Sequence, residues 1–69
     1  MTFTVGANIR AERVRRGMTL ADLCEEAGLS VPVLSRIENG HRIPTIDELD
    51  RIAKVLSVDR DLLSPKAAA

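Results

Sequence analysis

The stretch Thr19–Gly40, TLADLCEEAGLSVPVLSRIENG, decides the fold. It reads as two short helices joined by a tight turn. Thr19 opens the first, and Thr19-x-x-Asp22 approximates a capping box, with Asp where Glu or Gln is commoner. Leu20, Leu23, Cys24 and Ala27 recur at i, i+3, i+4 and i+7, which puts them on one helix face. Gly28 supplies the left-handed residue that ends this helix. Ser30 caps the second helix, with its hydroxyl in reach of the Val33 amide. Pro32 belongs in the first turn, where a missing N–H costs nothing. Because the residue before a proline is biased away from helical angles, the start can fall at Val31 or at Pro32. Leu34 and Ile37 turn inward; Val31, Pro32, Ser35, Arg36 and Asn39 fall on the other side, and Gly40 closes the helix. Two helices of this length cannot offset nucleation and ordering alone. The remaining segments must complete their core or help them hold a ligand.

Upstream, Met1 to Thr4 is a short lead-in and Thr4 can cap a helix over about 5–16. Val5 and Ile9 share its inward side, Arg13 continues that side, and Glu12 sits at its margin; Gly17 is the stop. Downstream, His41 to Pro44 is a loop, and Thr45-Ile-Asp-Glu48 is a full capping box. A fourth helix runs to about Leu56, with Ile46, Leu49, Ile52, Ala53 and Leu56 on its apolar side. Asp59 can cap a last short helix through Leu63, Pro65 ends it, and 64–69 is expected to fray. The expectation is a single all-α domain over 1–69, a five-helix bundle with its core at about 5–63.

Composition agrees with a helical bundle. The chain has 69 residues and one aromatic, Phe3, so the core must come from Leu, Ile, Val and Ala. A domain this small buries only about 60% of its unfolded surface, which leaves it marginal and makes oligomerisation plausible. Ten basic and ten acidic residues cancel, so any polyanion binding must come from where charges sit. Cys24 is the single cysteine and reads as a small buried hydrophobe, not part of a disulfide. One histidine, His41, without clustered acids or thiols makes no metal site, and no nucleophile–base–orienter set is evident. No enzyme, metal, cofactor or small-molecule ligand is expected. No signal pattern is present and nothing approaches 18 consecutive apolar residues, so a cytoplasmic protein without a membrane partner is expected.

Taken together, Gly6-x-x-Ile9-Arg10, Arg13, Gly17-Met18-Thr19, Leu23, Ala27-Gly28-Leu29-Ser30, Leu34-Ser35-Arg36-Ile37-Glu38-Asn39-Gly40, Pro44, Leu49 and Ile52-Ala53 carry a resemblance. The chain resembles the Cro and phage-repressor type of helix-turn-helix domain, the XRE family with its lambda-repressor-like fold, from about Val5 to Leu63. The run LSRIENG, at its distance from AGLS, is specific as a set. Two departures stand out: Glu12 replaces a common Leu, and Leu20 replaces a common Gln that bonds phosphate and braces the recognition helix.

The resemblance implies sequence-specific binding of double-stranded DNA and transcriptional control by a prokaryotic or phage, nucleoid-associated protein, usually as a homodimer on a palindromic operator. It makes the Ser30–Gly40 helix the recognition helix in the major groove. Arg36 is then the candidate for bidentate bonds to guanine O6 and N7, with a phosphate contact or a solvated arginine as the alternatives. Val31, Pro32 and Val33 sit at the groove end, where apolar side chains suit thymine methyls; Val33 packing inward is an equal alternative. Ser30 and Ser35 can each cap or touch phosphate. Thr19, Asn39, His41 and Arg42 are the expected phosphate clamp, which Asp22 partly opposes. Paired matches in the family suggest a partly buried salt bridge between Arg13 and Glu38. Val58, Leu62 and Leu63 form the expected dimer surface, unless they only close the monomer core.

A small repressor or a controller protein fits best. The competing readings are a protein-interaction module, such as an antitoxin or adaptor, and the DNA-binding domain of a larger regulator. Neutral charge and the Val31-Pro32-Val33 tip favour the interaction module; LSRIENG and the arginines of the first helix favour DNA.

Overall fold

Five helices follow in order: α1 (Thr4–Arg15), α2 (Leu20–Ala27), α3 (Val31–Glu38), α4 (Ile46–Leu56) and α5 (Arg60–Leu63). The computed structural model describes residues 4–64, and no strand occurs among them. The lead-in at 1–3, the stop at Pro65 and the tail beyond it lie outside the described residues. Thr4 is the first residue of α1 and not its cap, and the helix ends at Arg15, one residue earlier than expected.

Helix ends follow local chemistry closely. Thr19 and Asp22 form both arms of the capping box, at 3.0 and 2.9 Å. Thr45 and Glu48 do the same, at 3.1 and 3.0 Å. Ser30 Oγ accepts from the Val33 amide at 3.3 Å, so α3 starts at Val31 despite the following proline. Asp59 precedes α5 but makes no side-chain cap bond. Gly28 takes φ 73°, and the Leu29 amide then reaches back to the Cys24 carbonyl at 3.0 Å. This is the turn of the helix-turn-helix, and a β-carbon there would be strained. At the end of α4 the left-handed residue is Ser57, with φ 58°, a role the sequence does not advertise.

Every helix contributes to one core: Ile9 from α1; Leu23, Cys24 and Ala27 from α2; Leu34 and Ile37 from α3; Leu49, Ile52, Ala53 and Leu56 from α4; Leu63 from α5. The helix α2 packs on α3 and α4, while α1 packs on α3, α4 and α5. Ile46 corrects the expected stripe of α4. It is 67% exposed, because it stands in the first turn, ahead of the part of α4 that meets its neighbours.

α1 buries little apolar surface and is held largely by polar bonds. Arg13 donates Nε and Nη2 to the two oxygens of Glu38, at 2.9 and 3.1 Å, and Nη1 to the Met18 carbonyl at 2.8 Å. The two side chains are only 12% and 5% exposed. Asn8 Nδ2 donates to the Leu63 carbonyl at 3.0 Å and ties down the end of α5. Gly6 is buried where α1 crosses α3, and a methyl group there would overlap the Ile37 carbonyl oxygen.

Two predictions follow from this packing. Arg13→Ala leaves Glu38 buried and unpaired, at a cost of about 3–5 kcal/mol. At about 4–8 °C per kcal/mol for a domain of this size, circular dichroism should register a fall in Tm on the order of 12 °C or more. Unchanged melting would show that the pair adds no net stability. Gly6→Ala forces α1 off the α3 backbone and should cost at least the upper end of the about 1–3 kcal/mol typical of overpacking. Urea denaturation measures it; a neutral or stabilising result would refute the close approach.

Candidate nucleic-acid interface

Burial of Leu34 and Ile37 on one side of α3 fixes what the other side presents. Pro32, Ser35, Arg36 and Asn39, at i, i+3, i+4 and i+7, form its outward stripe. Pro32, Arg36 and Asn39 are exposed and Ser35 is half-buried. Val31 stands at the tip, 43% exposed. Val33 instead packs against the core, so the apolar tip consists of Val31 and Pro32.

The polar candidates differ in what they have left to offer. The Arg36 side chain makes no hydrogen bond or ion pair within the described residues, so its five donors are uncommitted. Asn39 Nδ2 already donates to the Ser35 carbonyl at 2.9 Å and lies 3.5 Å from Ser35 Oγ. The Thr19 and Ser30 hydroxyls accept cap bonds from amides, and each keeps its own proton to donate outward. His41 is exposed, with its amide on the Arg36 carbonyl at 2.8 Å. Arg42 is half-buried and bonded to Glu48 at 2.8 Å, which reduces it as a phosphate clamp. Glu38, the one acid of α3, is turned inward onto Arg13, so α3 presents no carboxylate on its outward stripe.

Electrostatics at the start of α2 are mixed. The Thr19 backbone amide and hydroxyl hold the Asp22 carboxyl below its usual range, so it stays ionised beside the first-turn amides. The hydrogen bond from Arg16 likewise lowers Glu12 on α1. Burial, with the nearby Glu38 carboxylate, pushes the Cys24 thiol up against a smaller opposing effect of Arg13. A buried neutral thiol is a poor nucleophile, which agrees with a purely structural cysteine. Among the described residues no His, Cys, Asp or Glu group is arranged to hold a metal ion. No helix among the described residues is long and apolar enough to cross a membrane.

Of the expected dimer residues, Leu62 is 51% exposed and Val58 is half-buried against the core. Both line a shallow groove with Ala53, Lys54, Ser57 and Asp59. Leu63 is a correction: it has no exposed surface, because α5 turns it under α1 and α4 into the core.

Sequence reasoning left Arg10 out of the site. It is exposed on α1 and lines a groove of ≈ 650 Å³ with Ala7, Ala11, Val14, Arg15, Glu38 and Asn39. Its helical phase, about 100° round from Ile9, turns it away from the core but does not reveal that α3 ends alongside.

The arrangement matches known proteins at both levels. A helix-turn-helix family model matches residues 9–63. The HTH-type transcriptional regulator Rv0474 of Mycobacterium tuberculosis is 39% identical over 62 residues, covering 90% of this chain. The chain spans 44% of the length of that relative. The HTH-type transcriptional regulator YazB of Bacillus subtilis is 37% identical, with 87% of both chains covered. Among solved structures, the SinR protein/SinI protein complex superposes with a TM-score of 0.85 at 31% identity, over 91% of this chain and 62% of that one. This chain belongs to the helix-turn-helix family, and its matched relatives are HTH-type transcriptional regulators.

Proposed function

We propose that the chain binds a palindromic operator as a homodimer and acts there as a small repressor or controller protein. α3 enters the major groove and α2 crosses the backbone at its start. The observation that carries this reading is the outward stripe of α3. It sets an arginine with no partner among the described residues beside an apolar tip, and no exposed acid stands on it. Arg36 reads a guanine through O6 and N7, and Val31 with Pro32 packs on a thymine methyl. Thr19, Ser30, Ser35, Asn39 and His41 donate to phosphates or support the residues that do. Arg42 does so only when it leaves Glu48.

The second copy supplies the second half-site, about one helical turn of DNA away. Leu62 and the exposed edge of Val58 form the contact between copies. A role as a protein-interaction module draws support from the SinR/SinI complex, but the α3 stripe has the donor that a base edge needs.

Selection of sites from random duplexes should return a palindrome, and log K should fall linearly with log salt. A failure to enrich any site at low salt favours the interaction module. Arg36→Ala should lose about 1–3 kcal/mol and relax preference at one base pair in each half-site. A uniform loss over all sequences would make Arg36 a phosphate contact. Leu62→Glu should convert a dimer to a monomer in sedimentation, with the monomer's Tm retained. A dimer that survives the charge rules this surface out.

A further inference from the structure

Zero net charge conceals uneven pairing. Arg13, Arg16, Arg42, Arg51 and Arg60 each lie 2.6–3.0 Å from a carboxylate oxygen. Arg15 stands 3.8 Å from Glu12, whose oxygen already takes a 2.6 Å bond from Arg16. Arg10 has no carboxylate partner within the described residues, and neither has Arg36 (nor Lys54, on α4). The positive charge left over on α1 and α3 is therefore carried by Arg10, Arg36 and, in part, Arg15.

These cations are not scattered. Arg10 and Arg15 rim the groove on α1, and Asn39 closes it from the end of α3. Asn39 belongs to the same stripe as Arg36, so the groove opens next to the reading face. Glu38 also lines it, but Arg13 holds both its oxygens. Ala7 and Ala11 line the same groove with small, exposed side chains.

We infer that Arg10, seconded by Arg15, is a phosphate-binding ledge that grips the DNA backbone alongside the C-terminal end of α3. This rests on the proposed DNA reading and deepens it. The planar guanidinium fork suits phosphate oxygens. An uncommitted cation placed this close to a major-groove helix meets the backbone first. The ledge adds affinity without sequence information, because phosphates are alike at every base pair.

The test uses the full chain and its selected operator duplex, in a salt titration. Each phosphate contact contributes about 0.9 to the slope of log K against log salt. Arg10→Gln should reduce the slope by about that amount per bound copy. It should weaken selected and scrambled duplexes alike and leave Tm unchanged. Arg10→Lys keeps the charge and should restore the slope; Arg15→Gln should produce a smaller reduction. An unchanged slope for Arg10→Gln overturns the ledge and leaves the groove to a non-DNA occupant such as an acidic protein segment. A loss at a single base pair would overturn it too, by making Arg10 a base reader. If the unaltered chain selects no DNA, the proposed function fails; if it binds and Arg36→Ala relaxes specificity while Arg10→Gln does nothing, the ledge alone fails.

Discussion

The Arg13–Glu38 bond is the constraint on which the placement of everything else depends. α1 offers the core one fully buried apolar residue, Ile9, with Val5 partly buried beside it and a glycine that lets the helix approach α3. Burial of that size does not fix a helix in angle and register. Arg13 does so through three directed bonds, two to Glu38 and one to the Met18 carbonyl in the α1–α2 turn. One guanidinium thereby connects α1, the entry to α2 and the end of α3. Taking two charges out of water is costly, and their attraction offsets the cost only when geometry is good and remaining donors are satisfied. Here the fork is bidentate and its third arm is used. An apolar pair of equal volume could match the stability but would leave the Met18 carbonyl without its donor and would not set the direction of α3.

The same bond has an electrostatic consequence at the surface. Drawing Glu38 inward removes the only acid of α3 from the outward side. The other arginine–carboxylate pairs neutralise charge on α4, α5 and the far end of α1. A chain with balanced composition therefore presents, on the helix proposed to read DNA, an outward side of positive character. If the proposed DNA binding holds, weak bulk charge combined with placed charge keeps non-specific binding low, since that part of binding scales with the phosphates neutralised.

Much of this was legible in the sequence because it is local. Caps at Thr19, Ser30 and Thr45, the turn at Gly28 and the inward stripes of α2 and α3 each depend on residues within eight positions, and each stands as read. The misreadings came from distance. Ile46 fits the period of α4, but whether a neighbour covers the first turn is a tertiary matter. Leu62 and Leu63 are equivalent in sequence, and the orientation of a four-residue helix decides which is buried. Arg42 reads as an open cation until Glu48, six residues on, folds back onto it. The bonds from Asn8 to Leu63 and from Arg51 to the end of α2 span 55 and 24 residues and leave no periodic trace. The candidate DNA residues were named by helical phase and family resemblance; which of them still hold uncommitted donors required the coordinates.

The sparse outward face of α3 also bears on the proposed pairing of two copies. One copy presents a single uncommitted arginine and a small apolar tip. A good bidentate base contact discriminates by about 1–3 kcal/mol, whereas specific binding exceeds non-specific binding by about 4–10 kcal/mol. One copy of such a face falls short of that range. Two copies on a symmetric site double the contribution and reach its lower part, and methyl contacts and groove shape add the rest. Phosphate contacts cannot substitute, because they raise specific and non-specific affinity together. On the proposed reading, the pairing of two copies follows from the chemistry of α3 itself. The proposed contact at the exposed edge of α5 would then need only enough strength to join two weak readers on one piece of DNA.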